Sequence, residues 1–472
     1  MPTPPAPTLP TNAPKDNDMT KRNIPQVMIA APTSGAGKTT VAIGLMALLA
    51  RKGYRVQPFK CGPDYIDTKF HEAVCHRPSV NLDLFMASRE HVRDIYRRYS
   101  ADADVCVVEG MMGLYDGFKL SEGSPADIAQ TLGIPVVLVV DGSHTGFSIA
   151  PLLYGFKNFS DKISIAGVIY NKVASARHET MLREAAKEVG LECLGCLPRQ
   201  KDVATGERYL GLDFSRKIDV EHVADIIEEN VEWERLLEGT GGVGVSPAPR
   251  LQSNITTADK EYAIRTGAGG TPTPPATPPA QPEAGGMQKR IMIARNSESF
   301  SFLYQEHIDI LKSKGKVEFF DPEEDVELPS DTAMLYLPGG YPEKHLAALQ
   351  KAKCCRHSIR EYAERGGKII AECGGMMYLC RSIIDDDGEA EMCGVLPYSI
   401  TARKSDRKLS LGYRRVVIDG KEYRGHEFHY TQFLPPLPPS AATVYDARNN
   451  EVASPVIRQG NVLASYTHLY WG

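Results

Sequence analysis

The segment Ala31-Pro32-Thr33-Ser34-Gly35-Ala36-Gly37-Lys38-Thr39-Thr40 follows a β-branched run and opens a stretch of helical periodicity. That is the setting of a phosphate-binding loop. Gly35 and Gly37 let backbone N–H groups turn inward around phosphate oxygens, and Lys38 supplies charge to the terminal phosphates. Thr39 offers a hydroxyl to Mg²⁺, and Thr40 belongs to the same ATP-binding set. Pro32 stands where such loops usually begin with glycine. Farther along, Asp64 and Asp67 lie three apart after a Gly-Pro turn, and Glu109 closes the apolar run 105–108. Carboxylates at successive strand ends are placed to hold Mg²⁺ or its waters, on the edge where open α/β sheets bind ligands. Asn171, just after the run 165–170, sits where a nucleotide base is often read.

A second chemistry is written later in the chain. Lys368-Ile-Ile-Ala-Glu-Cys373-Gly374-Gly375 reads as a strand, a sharp turn and a helix. Small residues after Cys373 permit the strained turn of a nucleophile elbow, and a helix N-terminus beneath the sulfur favours thiolate. Gly340, in Leu337-Pro-Gly-Gly-Tyr-Pro-Glu343, ends another strand, and its N–H is expected to join that of Gly374 in an oxyanion hole. A base is needed as well. His468 is chosen over His426 and His429 because it follows the apolar strand 462–466 near the chain end. Cys354, Cys355, Cys380 and Cys393 read as core residues, and Cys193-Leu-Gly-Cys196 is a lone pair of thiols in a strand-like run.

These residues need elements to hold them. Before residue 238 the expected strands are 27–31, 55–59, 105–109, 136–141 and 165–170, with a helix over 39–52. Continuously apolar strands alternating with helices imply a parallel sheet covered on both faces. After residue 288 the rhythm resumes at 290–294, 317–320, 334–337 and 368–372. Between them, 239–287 is rich in Pro, Gly and Thr and reads as an extended linker; 1–23 reads as a disordered leader, with Met19 a second candidate start. The fold class is therefore α/β. A P-loop domain spans 24–238 and a second α/β domain spans 288–472.

Composition bounds the partners. A 472-residue chain exceeds one ordinary core, and 42% hydrophobic with 24% charged residues excludes a mostly disordered protein. Lys and Arg number 54 against 59 Asp and Glu, a net charge of −5, which argues against a nucleic-acid partner. The apolar stretch 134–140 falls far short of the roughly 18–20 residues that cross a bilayer, so no membrane span is expected. Ten irregularly spaced cysteines read as free thiols of a cytoplasmic protein.

With the motifs on the page, the chain resembles the cobyrinic acid a,c-diamide synthase family over everything but the leader and linker. PTSGAGKTT, KCGPDYIDTKFH, VVEGMMGLYDG and GVIYNKV are similar to a dethiobiotin-synthetase-like P-loop fold. LPGGYPE, AECGGMMYL, GHEFHYT and ASYTHLYW are similar to the cobyrinate type of class I glutamine amidotransferase. The resemblance implies that L-glutamine is hydrolysed at Cys373 through a thioester, with His468 as base and then acid. Ammonia would then displace phosphate from an acyl phosphate that ATP and Mg²⁺ form on the a and c carboxylates of a corrin. It also implies that Asp64, Tyr65, Asp67, Glu109 and Asp116 handle Mg²⁺, the phosphorylated intermediate or the macrocycle.

Two departures stand out. Ordinary class I amidotransferases carry Glu two residues after the histidine, whereas position 470 is Tyr, as in the cobyrinate-type subgroup; Cys61 replaces a Thr found in some relatives. The competing readings are a nickel-sirohydrochlorin a,c-diamide synthase and a P-loop partner-binding ATPase with an inactive amidotransferase tail. A homodimer is compatible with all of them.

Overall fold

The computed structural model describes residues 24–199, 219–240 and 289–472. The expected leader and nearly all of the expected linker lie outside the described residues. The first sheet has seven strands: β1 (Gln26–Ala30), β2 (Val56–Cys61), β3 (Val80–Leu82), β4 (Val105–Glu109), β5 (Val136–Asp141), β6 (Ile165–Val173) and β7 (Cys193–Pro198). Their order is β3-β2-β4-β1-β5-β6-β7 and every pairing is parallel. Both faces are covered, as the unbroken apolar runs require. Val27, Ile29, Val107 and Val139 pack on one side with helix α1 (Lys38–Arg51), and Met28, Val108 and Leu138 on the other. The chain leaves β1 toward β2 on one side and places β5 on the other, so the crevice above β1 is a switch point. The loop before α1 lies there.

The second half carries a six-stranded sheet. Its order is Val456–Gln459, Val462–Ser465, Ile369–Glu372, Thr332–Leu337, Arg290–Ala294 and Lys316–Phe320. Only the Val456–Gln459 pairing is antiparallel. Two four-stranded sheets were not foreseen. One joins Thr443–Asp446, Ser410–Ile418, Lys421–His429 and His468–Tyr470 in antiparallel fashion. It delivers His426, His429 and His468 from two neighbouring strands.

Aromatic side chains join the halves. Tyr65, Phe85 and Met86 from the first pack with Phe302, Tyr304, Tyr341 and Tyr470 from the second. Polar contacts frame them: Tyr413 Oη donates to Asp83 Oδ2 at 2.7 Å, and Lys69 Nζ donates to the Ser297 carbonyl at 3.0 Å. Among the described residues no helix is long and apolar enough to cross a membrane, and all ten cysteines are free. Cys355, Cys380 and Cys393 are buried, but Cys354 is exposed, contrary to expectation, because it takes the outer face of the helix Lys353–Glu364.

Candidate active site

At the first sheet, Gly35 and Gly37 adopt φ of 79° and 99°, which a side chain would strain. A Cβ at Gly37 would also meet the Asn171 amide nitrogen at 2.2 Å. Asn171 Nδ2 donates to the Ala36 carbonyl at 3.0 Å and so braces the loop. Lys38 Nζ donates to the Met112 carbonyl at 2.6 Å, while Thr39 Oγ1 donates to Glu109 Oε1 at 2.6 Å. Thr40 is half-buried in the first turn of α1.

The carboxylates converge on a residue that the motif reading passed over. Lys60, at the end of β2, is buried and lies 2.5 Å from Asp67 Oδ2, 2.9 Å from Glu109 Oε1 and 3.7 Å from Asp64 Oδ2. Burial alone would lower the Lys60 ammonium, but Asp67, Glu109 and Asp64 outweigh it and hold it well above its ordinary value. Burial pushes Glu109 up in turn; Lys60, His71 and the Thr39 hydroxyl outweigh that and keep it well below the usual carboxylate range. His71 Nε2 sits 2.8 Å from Glu109 Oε2, with its Nδ1 3.1 Å from Ser79 Oγ. Asp64 accepts from the Ile66 and Asp67 N–H groups, and it is lowered although burial opposes this, through Lys60 and those N–H groups. Asp116 stands apart, accepting from Gly113 N at 2.8 Å within its own loop. Thr39, Asp64, Asp67 and Glu109 offer only oxygen, the donor chemistry that suits a hard cation such as Mg²⁺, although here the three carboxylates close on Lys60 Nζ and no cluster of three metal-ligating side chains is formed among the described residues.

At the second sheet, Cys373 takes φ 46° and ψ −108° between Ile369–Glu372 and the short helix Gly374–Leu379. The strained elbow is present. A Cβ on Gly374 would come within 2.7 Å of Pro342 and 2.8 Å of the Gly340 carbonyl, so only glycine lets the two turns meet. The expectation of a favoured thiolate is reversed: burial first, then the Glu343 charge, pushes the thiol up against the opposing Gly374 N–H. Six residues of helix do not offset that desolvation.

Cys373 faces a small cavity of about 20 Å³ whose wall includes Gly340, Glu343, Met377 and His429. His429 Nδ1 is 2.9 Å from the Thr431 carbonyl, its Nε2 is 3.9 Å from Glu427 Oε2, and its ring stacks on Tyr466 at 3.7 Å. Glu427 is fully buried and accepts from Arg414, Ser410 and Thr467 at 2.9, 3.0 and 2.7 Å.

His468 does not line that cavity. It lies against the adjoining Gly339, where a Cβ would strike its ring at 2.2 Å. The ring is fully buried and, among the described residues, neither nitrogen has a hydrogen-bond partner. Burial, then neighbouring His426, pushes it well below its ordinary value, leaving a neutral imidazole. Tyr65, from the Asp64–Asp67 loop, is packed between the halves with its ring centroid 5.4 Å from that of His468.

A family model described as a CobQ/CobB/MinD/ParA nucleotide binding domain matches residues 27–209. Another, described as a CobB/CobQ-like glutamine amidotransferase domain, matches residues 290–472. A hydrogenobyrinate a,c-diamide synthase of Streptomyces coelicolor is 38% identical, covering 95% of this chain and 95% of its own. The chain belongs to the a,c-diamide synthase family. A second relative of that printed name, from Stutzerimonas stutzeri, is 36% identical over 96% of this chain and 97% of its own. A cobyrinate a,c-diamide synthase of Dehalococcoides mccartyi is 34% identical over 95% and 96%. As a family member the chain is a glutamine-dependent amide-forming ligase, with a nucleotide-binding half and an amidotransferase half.

Lys60, His71 and Glu427 are residues of this site that the sequence reading missed, whereas His429 was weighed there and set aside for His468. Lys60 and His71 open and close the motif KCGPDYIDTKFH, which was the available signal for both. For Glu427 it was the motif GHEFHYT, which also carries His426 and His429.

Proposed function

We propose that this chain converts the a and c carboxylates of cobyrinate, or of its cobalt-free counterpart, to amides, spending ATP and glutamine in the cytoplasm. In this reading 24–238 is the synthetase half and 288–472 the glutaminase half. The observation that carries it is the joining, in one chain, of a lysine-centred carboxylate cluster beside a P-loop and a cysteine on a strained elbow.

At the glutaminase half, His468 takes the Cys373 proton and the sulfur attacks the carboxamide carbon of glutamine. The Gly340 and Gly374 N–H groups receive the developing oxyanion. His468 then returns its proton to the leaving nitrogen, ammonia departs, and water cleaves the thioester to glutamate. Neither ring nitrogen of His468 has a hydrogen-bond partner among the described residues, which leaves a lone pair open to a proton.

At the synthetase half, Gly35, Gly37, Lys38 and Thr40 cradle the nucleotide phosphates, with Asn171 bracing the loop. Thr39, Asp64 and Glu109 would hold Mg²⁺, which supplies neutralisation of charge on the transferring phosphoryl group. Asp67 and Asp116 attend the substrate carboxylate and its acyl phosphate. Ammonia adds to the acyl carbon and phosphate leaves, so one ATP and one glutamine are used per amide.

Mass spectrometry after turnover with glutamine and ATP tests this. Cobyrinate or its cobalt-free form should lose about 1 Da twice, once for each acid-to-amide exchange at the activated carboxylates. Amidation of nickel-sirohydrochlorin alone would transfer the activity to another ring. No amide on any ring would leave only a P-loop ATPase.

A further inference from the structure

Among the described residues, no carboxylate is hydrogen-bonded to the ring of the base assigned above. Position 470 is Tyr, and its hydroxyl is bonded to Glu306. Glu427 reaches the neighbouring Thr467 hydroxyl, not the His468 ring. Both ring nitrogens of His468 are buried and unpartnered, so hydrogen bonds do not fix its plane. Other rings surround it. His426 lies nearly parallel to it at 5.0 Å and 17°, and its Nδ1 is 3.3 Å from the Tyr304 hydroxyl. Tyr65 approaches at 5.4 Å and 45°, Phe302 at 5.9 Å and 51°.

Tyr65 is the only one of these rings that comes from the synthetase half. It is 6% exposed and stacks on Phe302 at 5.0 Å and 6°, with Tyr304 at 4.7 Å. Its chain neighbours are the synthetase acids. Asp64 caps the turn beneath it through the Ile66 and Asp67 N–H groups, and Asp67 is clamped by Lys60. Any rearrangement of those carboxylates acts on a backbone segment three residues long that ends in the ring against His468.

We propose that Tyr65 is a positioning residue for glutamine hydrolysis: with Phe302 and His426 it holds His468 by ring packing, and so ties ammonia release to the synthetase loop. This rests on the reading of His468 as the base of Cys373. A loop displaced by substrate shifts one wall of the packing, and a misplacement of about 1 Å at a catalytic group costs about 10²-fold in rate. The ring, not the hydroxyl, does this.

The test uses the full chain with Tyr65→Leu, Tyr65→Phe and Phe302→Leu. Glutamate release, amide formation and ammonium-driven amidation are measured on each. Tyr65→Leu and Phe302→Leu should lower the kcat of glutamine hydrolysis by about 10²-fold with KM little changed. Tyr65→Phe should keep it near wild type, and Phe302→Leu should keep ammonium-driven amidation. In the wild type, adding ATP, Mg²⁺ and the corrin should change glutaminase kcat, a response that Phe302→Leu removes. Wild-type glutaminase kcat in folded Tyr65→Leu and Phe302→Leu overturns the proposal, as does a wild type that ignores the synthetase substrates. His468→Ala separates the two readings: if it still hydrolyses glutamine, the assignment of the base falls, whatever the Tyr65 variants do.

Discussion

Lys60 Nζ and Glu109 Oε1 stand 2.9 Å apart at the carboxyl edge of the first sheet, with neither side chain more than 3% exposed. A cation in that position keeps three neighbouring carboxylates from repelling one another. It is the electrostatic keystone of the synthetase half.

Lys60→Met should therefore destabilise the protein by about 3–5 kcal/mol, since it leaves buried carboxylates without their counter-charge. Thermal or denaturant unfolding measures this. Adding Asp67→Asn and Glu109→Gln to the same chain should restore part of the loss, because the stranded charge is then gone. A Lys60→Met protein as stable as wild type would contradict the pairing.

Cys373→Ala should abolish glutamine-dependent amidation, by at least about 10⁴-fold, while ammonium at high concentration still supports it. Lys38→Ala should do the converse and lower amidation from either nitrogen source by about 10²-fold or more. Assays with glutamine and with ammonium separate the outcomes. Equal loss of both activities in folded Cys373→Ala would end the division of labour.

The Cys373 thiol lies above its ordinary value because it is buried. Without glutamine, its alkylation by iodoacetamide should climb steadily across pH of about 6 to 9, with no plateau near neutrality. Peptide mapping of the labelled protein follows this one sulfur among ten. An early plateau would mean that the free site already holds a thiolate.

Glu372, just before Cys373, is pushed up from 4.5 to about 8 by burial, against hydrogen bonds from Tyr336 and the Leu469 N–H. Between those two values the folded state binds the extra proton. Stability contributed by this group is present below 4.5 and is lost as pH rises through 8. The unfolding midpoint of the wild type should fall over that window relative to Glu372→Gln, whose curve should be flatter. A constant difference between the two would refute the shift.

Much of this was legible in the residues. Largely apolar runs at 105–109, 136–141 and 290–294 fold as strands with those bounds, and the P-loop and the Cys373 elbow lie where their glycines put them. What stayed hidden has physical reasons. Strands such as Ser382–Ile384 and Ser399–Thr401 are three residues long, too short for a period to emerge. Lys60 falls just past the expected strand 55–59 and reads as an ordinary loop charge until its partners, from positions 64, 67 and 109, are brought around it. The aromatic cluster takes members from 65 to 470, and no local pattern announces a contact over that separation. The choice among three histidines turned on strand position, whereas the cavity itself faces His429.

The strand Lys421–His429 carries His426 to the ring cluster and His429 to the cysteine cavity. Three positions apart on a pleated ribbon, the two side chains point to opposite sides. This strand is thus a partition wall with a fitting on each side. One inserted or deleted residue between the two histidines would hang both on the same side and leave the other bare, so its length is fixed. The hairpin tip at Asp419 and Gly420 lies beyond both histidines, with Asp419 paired to Arg458, so a probe attached at Gly420 leaves the partition unchanged.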